Sequence, residues 1–408
     1  MTDAEEPEGA LEGLKVVEIA EGISGPYCGK LLADLGAEVI KVERPGAGDA
    51  SRGFAPFYHD EPSPDAGLLF GFLNTSKLGV TLDVAAPPGR EILHRLLAEA
   101  DVVLVGGRPA AIERAGLDYA SLSEAHAGLV CTYVTPFGLT GPHAGWQGSE
   151  LVAFQASGLG IMTPAERRGS PEMRPLKAGG HQAMMVAGLT AAVATMHAVF
   201  AREASGAGQC VDVSEVEPLT SHQFLNLARW TYTGDPGYRG YTEGSGRIWC
   251  RDGAVFMLLF AGQEHQWQAF LDLMGNPEWA QGPEYRSRAS LGEKTEEFWA
   301  RVHEWAGGYG KQELYREAQG RRVPMFPENS IAEAVESEQV RARGFVQEIP
   351  LACGASVRAP TAPYQFSETP VRVRRVAPSL GRDNDAVFRG RLGLTAEELR
   401  RAREAGVV

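Results

Sequence analysis

The sequence has few cysteines and lacks the short motifs of several common kinds of site. A length of 408 residues excludes a small disulfide-stapled module. The five cysteines are odd in number and form no CxxC pair, so a reduced, intracellular protein is expected. HExxH and the phosphate-binding P-loop are absent, and the nine histidines occur singly. We therefore expect no metal ion. The serine nucleophile motif GxSxG is absent as well, which argues against that class of hydrolase.

Positive charge and long apolar runs are also scarce. There are 39 Lys and Arg against 52 Asp and Glu, a net charge of −13. This balance argues against nucleic acid or an anionic membrane as the main partner, because both favour a positively charged surface. The longest apolar stretch, residues 184–200, contains two threonines and a histidine and is shorter than the ~20 residues that span a bilayer. It predicts a buried core helix, and we expect a cytoplasmic protein.

The N-terminal part alternates between strand and helix patterns. Residues 15–20 and 37–43 are rich in β-branched residues, and between them a helical pattern begins near Pro26 and ends before Gly36. Two strands separated by one helix predict a right-handed βαβ unit and a parallel sheet. The alternation continues to about residue 134. The predicted fold class is therefore α/β.

The composition changes near residue 223. Residues 232–246 are rich in Gly and Tyr, and residues 264–320 predict amphipathic helices that carry four tryptophans. Such a change within one chain predicts a second domain.

A dinucleotide site is the first candidate, because N-terminal βαβ units often hold one. Glu43 stands at the end of the second strand, where such folds place the acid that binds a ribose hydroxyl. The preceding turn, residues 22–29, reads GISGPYCG rather than GxGxxG, and Pro26 lacks the backbone N–H that a pyrophosphate would need. These residues do not favour a NAD site.

Glu150 is the remaining candidate for chemistry. It follows Gly148 and opens an apolar helix. One interpretation is an acid in the first turn of a helix, where its negative charge interacts with the helix dipole and stabilises the helix by ~0.3–1 kcal/mol. The other is a nucleophilic carboxylate beside a tight glycine turn, which permits covalent acyl chemistry. The pattern alone leaves both interpretations open.

Several short segments, spread along nearly the whole chain, carry a family resemblance. They are LKVVE (14–18), GPYC (25–28), LLADLGA (31–37), VIKVERPG (39–46), NTSK (74–77), VTLD (80–83), RP (108–109), GLDY (116–119), FG (137–138), TGP (140–142), GAGQ (206–209), VDVS (211–214) and APSLG (377–381). In this order they resemble the family III CoA-transferases, the group of formyl-CoA, carnitine and bile-acid-inducible transferases.

The resemblance implies a fold and an assembly. It implies a Rossmann-like large domain built from both chain ends, residues 1–222 and 331–408, and a smaller inserted α+β domain, residues 223–330. It also implies a homodimer in which two subunits interlock like rings.

The resemblance further implies that acyl-CoA and a carboxylic acid acceptor are the substrates, with coenzyme A bound as a thioester. A few cations suffice to hold its phosphates in an acidic protein. The family's CoA contacts would fall on Val17, Ile19, Lys41, Arg44, Asn74, Lys77, Arg108 and Arg114.

The family nucleophile is an Asp that opens a helix ending in Gln-Ala-x-x-Gly. Residues 155–158 read Gln-Ala-Ser-Gly, one residue shorter than that ending, and the register taken from this helix end places Glu150 at the nucleophile position. Glu can form the same mixed anhydride and acyl-CoA thioester, but it is one methylene longer, so the surrounding pocket must differ to match. A second departure is Val-Gly-Gly at 105–107, where the family usually has Glu-Asn-Phe.

The implied reaction transfers CoA through an anhydride and a glutamyl-CoA thioester on Glu150. Backbone N–H groups must stabilise each oxyanion. The candidates are Gly179 and Gly180 and the segment 244–246, although each could be a plain turn. Gly138 either lets the chain approach the thioester closely or only turns it after a strand.

Two other functions use the same fold. The α-methylacyl-CoA racemases resemble this chain in its first half, but they need a His beside the Asp for two-base proton transfer. Here Ser149 and Glu150 replace both members of that pair. The other alternative is a CoA-thioester-binding protein without transfer activity, or an assembly partner of an active paralogue.

Overall fold

A computed structural model describes residues 9–163, 176–235, 246–258 and 263–408. The described residues form two compact units. The first contains residues 9–163, 176–235 and 344–408, and the second contains residues 246–258 and 263–343.

The first unit is built on a six-stranded sheet. All its pairings are parallel, in the order β3-β2-β1-β4-β5-β6. The prediction of an α/β fold with a parallel sheet is confirmed. The strand order reverses between β1 and β4, the position at which open α/β sheets bind ligands, outside the carboxyl ends of the strands. The strands are β1 Lys15–Ile19, β2 Glu38–Glu43, β3 Leu78–Thr81, β4 Val102–Gly106, β5 Val130–Thr135 and β6 Cys210–Ser214.

Helices cover this sheet, and aliphatic side chains of the strands form cores on its faces. The helices of residues 9–235 are α1 Ser24–Asp34, α2 Leu68–Leu73, α3 Pro87–Leu97, α4 Pro109–Arg114, α5 Tyr119–Ala125, α6 Glu150–Ala156, α7 Gln182–Ser205, α8 Glu217–Ser221 and α9 Phe224–Thr233.

The helix α7 packs along α1 and against β5 and β6. Small residues on one face permit this close approach, because a Cβ at Gly188 would lie 2.4 Å from the carbonyl oxygen of Ser24. The helix is longer than the expected apolar stretch. Among the described residues it is the one helix long and apolar enough, by length and composition alone, to cross a membrane.

The second unit has a three-stranded antiparallel sheet, β7 Arg247–Cys250, β8 Gly253–Met257 and β9 Met325–Pro327. Its core contains stacked and edge-on aromatic rings, among them Trp267, Phe298 and Trp299. The helices are α10 Glu264–Leu273, α11 Thr295–Ala306, α12 Lys311–Gly320, α13 Ile331–Glu336 and α14 Glu338–Ala342.

Residues 344–408 return to the first unit. They form the hairpin β10 Val346–Pro350 and β11 Ser356–Pro360, a π-helix at Asp385–Arg391, and α15 Ala396–Glu404. Part of this segment lies along the edge strand β3. The N–H groups of Gly79 and Thr81 donate to the side chains of Asp383 and Asn384, each at 2.8 Å.

Candidate active site

Glu150 is the first residue of α6, and its carboxylate contacts the start of a different helix. Its Oε1 accepts the Ala183 N–H at 3.1 Å, and its Oε2 accepts the Met184 N–H at 3.0 Å. Both donors belong to the first turn of α7, where backbone N–H groups have no partner within the helix. The residue is only 7% exposed. The carboxylate is therefore held in one orientation by both of its oxygens.

A glycine fixes the place at which α6 begins. A Cβ at Gly148 would lie 2.4 Å from the Pro136 Cβ, closer than two carbon atoms can approach without a shift. Pro136 directly follows β5. The close contact therefore places the start of α6 beside the carboxyl edge of the sheet, and Ser149 caps the helix by accepting the Val152 N–H.

A second buried carboxyl, not anticipated from the sequence, lies at the same edge. Glu215 directly follows β6, and its N–H donates to the Thr135 carbonyl at 2.9 Å. The Ser24 hydroxyl donates to Glu215 Oε1 at 2.5 Å, and both residues are buried. Burial raises the pKa of Glu215; the Ser24 hydrogen bond opposes this shift, and the Glu150 carboxylate adds to it.

Two clefts open outside the carboxyl ends of the strands. The smaller cleft, about 280 Å³, is lined by Ser24, Gly148, Met184 and Glu215 among others. It is therefore bordered by Gly148, two residues before Glu150, and by Met184, whose N–H donates to the Glu150 carboxylate. The larger cleft, about 590 Å³, has a mostly apolar wall that includes Val42, Leu82, Val84, Ile112 and Leu117.

The two clefts share part of their lining at the reversal of strand order. Glu21, which follows β1, and Gly106, Gly107 and Arg108, at the end of β4, border both. An extended ligand can therefore run from the apolar wall of the larger cleft to the carboxyls beside the smaller one. Gly106 and Gly107 themselves place no side chain in this passage.

Three of the predicted CoA contacts lie at these clefts. Ile19 and Arg44 line the larger cleft, and Arg108 lines both. Arg44 is paired with Glu21 across the exposed rim, with Nε and an oxygen of the carboxylate 2.8 Å apart.

Four other predicted contacts have side chains in the interior. Val17 packs in the apolar core, and Lys41, Asn74 and Lys77 are at most 1% exposed. Each of the three polar side chains is bonded inside the protein, and none of them lines either cleft. Their role as direct CoA contacts stays a prediction.

Glu18 is the centre of that internal network. Its two carboxylate oxygens lie 2.9 Å from Lys41 Nζ and 2.7 Å from Lys77 Nζ, and Lys41 also pairs with Asp49 at 2.7 Å. Burial acts to lower the pKa of Lys41, but the carboxylates of Glu18 and Asp49 outweigh it and hold the pKa above its usual value. Burial lowers the pKa of Lys77 to about 8.

The remaining predicted positions lie away from the clefts described above. Arg114 is exposed near the end of α4, and its Nε donates to the Ala110 carbonyl. Gly138 turns the chain after β5 with a φ of +88°, next to Asp212. Gly180 has a φ of +73° and stands just before α7. Gly244 and Ser245 are outside the described residues, and Gly246 belongs to the second unit.

Within the described ranges, no group of three or more His, Cys, Asp or Glu side chains is arranged to hold a metal ion. The chemistry offered by the site itself is that of two buried carboxyls, backbone N–H donors and a hydroxyl. Carboxylates of this kind can act as nucleophiles or exchange protons.

Comparison with known proteins places this architecture in a family. The family model of CoA-transferase family III matches residues 11–384. The chain is 33% identical to the succinyl-CoA:(R)-benzylsuccinate CoA-transferase subunit BbsE of Thauera aromatica, over 90% of each chain. It is 30% identical to the formyl-CoA:oxalate CoA-transferase of Streptomyces coelicolor, over 98% of this chain and 99% of that one.

A solved structure supports the same assignment. A CAIB/BAIF family protein from Brucella suis superposes with a TM-score of 0.81 at 27% identity, covering 94% of this chain and all of that one. With the family model spanning most of the sequence, the resemblance noted in the short motifs is confirmed: the chain belongs to CoA-transferase family III.

Proposed function

We propose that the protein is a CoA-transferase that moves CoA from an acyl-CoA thioester to a carboxylic acid acceptor, with Glu150 as the covalent carrier. Membership of the family supports the reaction class. The observation that carries the role of Glu150 is its buried carboxylate, held by the Ala183 and Met184 N–H groups beside a cleft at the sheet's reversal point.

The reaction has two halves. In the first, a Glu150 oxygen attacks the thioester carbonyl, CoA thiolate leaves, and an acyl–glutamyl anhydride forms. The thiolate then attacks the Glu150 carbonyl carbon and displaces the donor carboxylate. The product on the enzyme is a glutamyl-CoA thioester. In the second half, an acceptor carboxylate attacks this thioester and the same steps run in reverse. Covalent catalysis divides one exchange into steps that conserve the thioester bond energy.

The start of α7 supplies the electrostatic support for these steps. When the thiolate attacks the Glu150 carbonyl carbon, negative charge develops on a carboxyl oxygen that already lies 3.0–3.1 Å from a backbone N–H. Donors fixed at ~2.7–3.1 Å from the developing oxyanion are the arrangement that lowers such barriers. This assignment replaces the glycine loops as our candidate for the oxyanion site.

The clefts suggest how CoA is oriented. The apolar wall of the larger cleft suits the adenine, and Arg44 and Arg108 can provide charge-assisted hydrogen bonds to phosphate oxygens. The pantetheine arm would then pass Gly106 and Gly107, so that its thioester enters the smaller cleft beside Glu150.

The relatives' names point to carboxylic acids as acceptors. The two relatives described above are named for succinyl-CoA with benzylsuccinate and for formyl-CoA with oxalate. We extend to this chain only what they share, an acyl-CoA donor and a carboxylate acceptor.

We also propose a cytoplasmic homodimer, interlocked as in the family. The surface of α9 supports self-association: the helix has no buried residue, and Leu225 and Trp230 are 79% and 53% exposed. Large apolar side chains grouped on one helix are typical of a surface that a partner covers.

Peptide mass spectrometry tests the proposal. The protein is incubated with a panel of acyl-CoAs, digested and analysed for a CoA-sized adduct. We expect the adduct on the peptide that contains Glu150, its removal by hydroxylamine, and its absence in Glu150→Gln. The matched control is Glu203→Gln, which changes an exposed residue near the other end of α7. A Glu150→Gln variant that turns over normally would refute the role of Glu150.

Two observations favour a second candidate. Both oxygens of Glu150 are occupied by backbone donors, and the relative from Thauera aromatica is named as a subunit. In this second candidate function, the chain binds CoA thioesters but does not transfer CoA, and it is the partner of an active paralogue. CoA binding with no adduct favours this candidate, whereas exchange of the α-proton of a 2-methylacyl-CoA with deuterated water favours a racemase.

A further inference from the structure

Glu215 and Ser24 form a buried pair that the proposed covalent steps leave unused. The two residues are 191 positions apart, and the distance from Ser24 Oγ to Glu215 Oε1 is 2.5 Å. Their side chains come from different elements, since Ser24 begins α1 and Glu215 follows β6. A buried carboxyl is costly unless it is partnered or functional. This one has a hydroxyl partner on one oxygen.

Glu215 also lines the smaller cleft, together with Met184, whose N–H contacts the Glu150 carboxylate. The charged groups around it are few. Glu21 and Arg108 border the same cleft, and Glu150 is close enough to act on Glu215 electrostatically. A thioester that approaches Glu150 through this cleft therefore passes the Glu215 carboxyl.

We propose that Glu215 is the acid–base residue of the transfer: it protonates the CoA sulfur as it leaves and accepts that proton again when the sulfur attacks. This inference rests on the proposed function, because it assigns a role in the covalent steps on Glu150. Ser24 is the positioning residue, since its hydroxyl holds one oxygen of Glu215 and leaves the other for the proton.

The proton balance closes over each half-reaction. The Glu150 carboxylate, the acyl-CoA and the protonated Glu215 give the acyl–glutamyl anhydride, CoA thiol and the Glu215 carboxylate. In the next step this carboxylate removes the thiol proton while the sulfur bonds to the Glu150 carbonyl carbon and the donor carboxylate departs. The products are the glutamyl-CoA thioester, the donor carboxylate and protonated Glu215. No other proton donor, oxidant or metal is consumed.

The environment suits this role. Burial and the neighbouring Glu150 carboxylate both raise the pKa of Glu215, although Ser24 acts in the opposite direction. A carboxyl whose pKa is shifted toward neutral pH is better matched to proton transfer than an exposed one. Ser24 also lies in a tightly packed junction, because a Cβ at Gly188 of α7 would lie 2.4 Å from its carbonyl oxygen.

Single-turnover kinetics test the assignment. Release of CoA thiol and growth of the Glu150 adduct are followed across pH in the wild type and in Glu215→Gln, whose amide can still accept the Ser24 hydrogen bond. We expect both rates in the variant to fall by about 10²-fold with unchanged CoA affinity. Glu217→Gln, an exposed glutamate two residues further on, is the matched control and should behave like the wild type.

The pH profile separates proton transfer from a merely structural role. In the wild type the thiol-release rate should fall as the pH rises through the Glu215 pKa, and this limb should be missing in Glu215→Gln. Ser24→Ala removes the interaction that lowers the Glu215 pKa. In this variant the fall of the thiol-release rate should therefore occur at higher pH. A fall of the rate at the same pH in Ser24→Ala and in the wild type would contradict the pairing of Ser24 with Glu215.

The remaining outcomes are also decisive. An unchanged single-turnover rate in Glu215→Gln overturns the acid–base role alone and leaves the transferase proposal standing. An adduct on the Glu215 peptide would overturn the acid–base role by making Glu215 the nucleophile. A wild type that turns over acyl-CoA with no covalent adduct overturns the proposed function, and the inference with it.

Discussion

The carboxylate of Glu150 accepts the backbone N–H of Ala183 at 3.1 Å, and this bond joins the first turn of α6 to the first turn of α7. The same side chain reaches Met184 with its other oxygen. One residue thus supplies both the candidate nucleophile and part of the connection between two helices. The two interpretations that the sequence left open, dipole partner and nucleophile, are compatible in this geometry.

Glu150→Ala should therefore lower stability as well as activity. Removal of the carboxylate leaves the buried N–H of Ala183 and the partly buried N–H of Met184 without an acceptor. The loss is similar to that of a helix cap, about 1–2 kcal/mol. The free energy of unfolding in urea measures it. Glu203→Ala, at an exposed position of the same helix, should stay within about 0.5 kcal/mol of the wild type. An equal effect of both variants would contradict the capping role.

Arg108 should matter more for CoA affinity than Arg114. Arg108 borders both clefts, whereas Arg114 is exposed and bonded to its own helix. We expect Arg108→Ala to weaken CoA binding by at least about tenfold, equivalent to ~1.4 kcal/mol, and Arg114→Ala to leave it nearly unchanged. Titration calorimetry with CoA at constant salt compares the two. A larger loss in Arg114→Ala would place the phosphates elsewhere.

Gly29 should tolerate no side chain, although it lies in a helix. A Cβ there would come 1.9 Å from Glu18 Oε2 and 3.2 Å from Lys77 Nζ, inside the buried ionic network. We expect Gly29→Ala to destabilise the protein by about 3 kcal/mol, as overpacking does. The control Gly145→Ala meets no atom within 4 Å and should be close to neutral. Thermal unfolding of both variants provides the comparison.

His126 should make the first unit sensitive to mild acid. Its Nε2 lies 3.1 Å from Nδ1 of His94, and burial, with the neighbouring His94, lowers its pKa below 6.5. The folded state thus binds its proton less readily than the unfolded state. The contribution of His126 to the free energy of unfolding is fully present above pH 6.5. It decreases as the pH falls toward the pKa of His126 in the folded state.

The measurement is the unfolding free energy at pH 7 and pH 5. His126→Asn should lose less stability over this interval than the wild type, whereas His197→Asn, at an exposed position of α7, should lose as much as the wild type. A wild-type loss that persists in His126→Asn would assign the acid sensitivity to other groups.

A substitution on the exposed apolar surface of α9 tests whether the protein associates with itself. Leu225→Glu places a charge on this surface and should shift the sedimentation of the protein from dimer toward monomer at micromolar concentration. Ala405→Glu adds the same charge at an exposed position beyond α15 and should leave the sedimentation unchanged. A wild type that sediments as a monomer would refute the dimer.

The parallel sheet could be predicted because its strands are short β-rich runs separated by helical patterns and glycine turns. The register taken from residues 155–158 predicts Glu150 as the nucleophile, and the structure shows its carboxylate at the start of α7. The environment of the buried lysines was harder to predict. Lys41 and Lys77 lie in and beside strands, and no local pattern tells whether a lysine there faces a ligand or a buried carboxylate such as Glu18.

Glu215 was missed for a related reason. A single carboxylate after a strand has no motif, and its partner Ser24 is distant in the sequence. The one available signal was its position, because a carboxyl end of a parallel strand borders the binding edge of the sheet. Such a position becomes informative only when the strand order is known.

The contacts of Gly79 and Thr81 with Asp383 and Asn384 have a consequence for biosynthesis. The edge strand β3 leaves the ribosome long before the segment that covers it, and the whole second unit is translated in between. During that interval, β3 presents unpaired backbone groups that could pair with another nascent chain. Chaperone dependence and inclusion-body formation should therefore increase when translation stalls between residues 82 and 378, and a C-terminal truncation before residue 378 should be recovered mainly in the insoluble fraction.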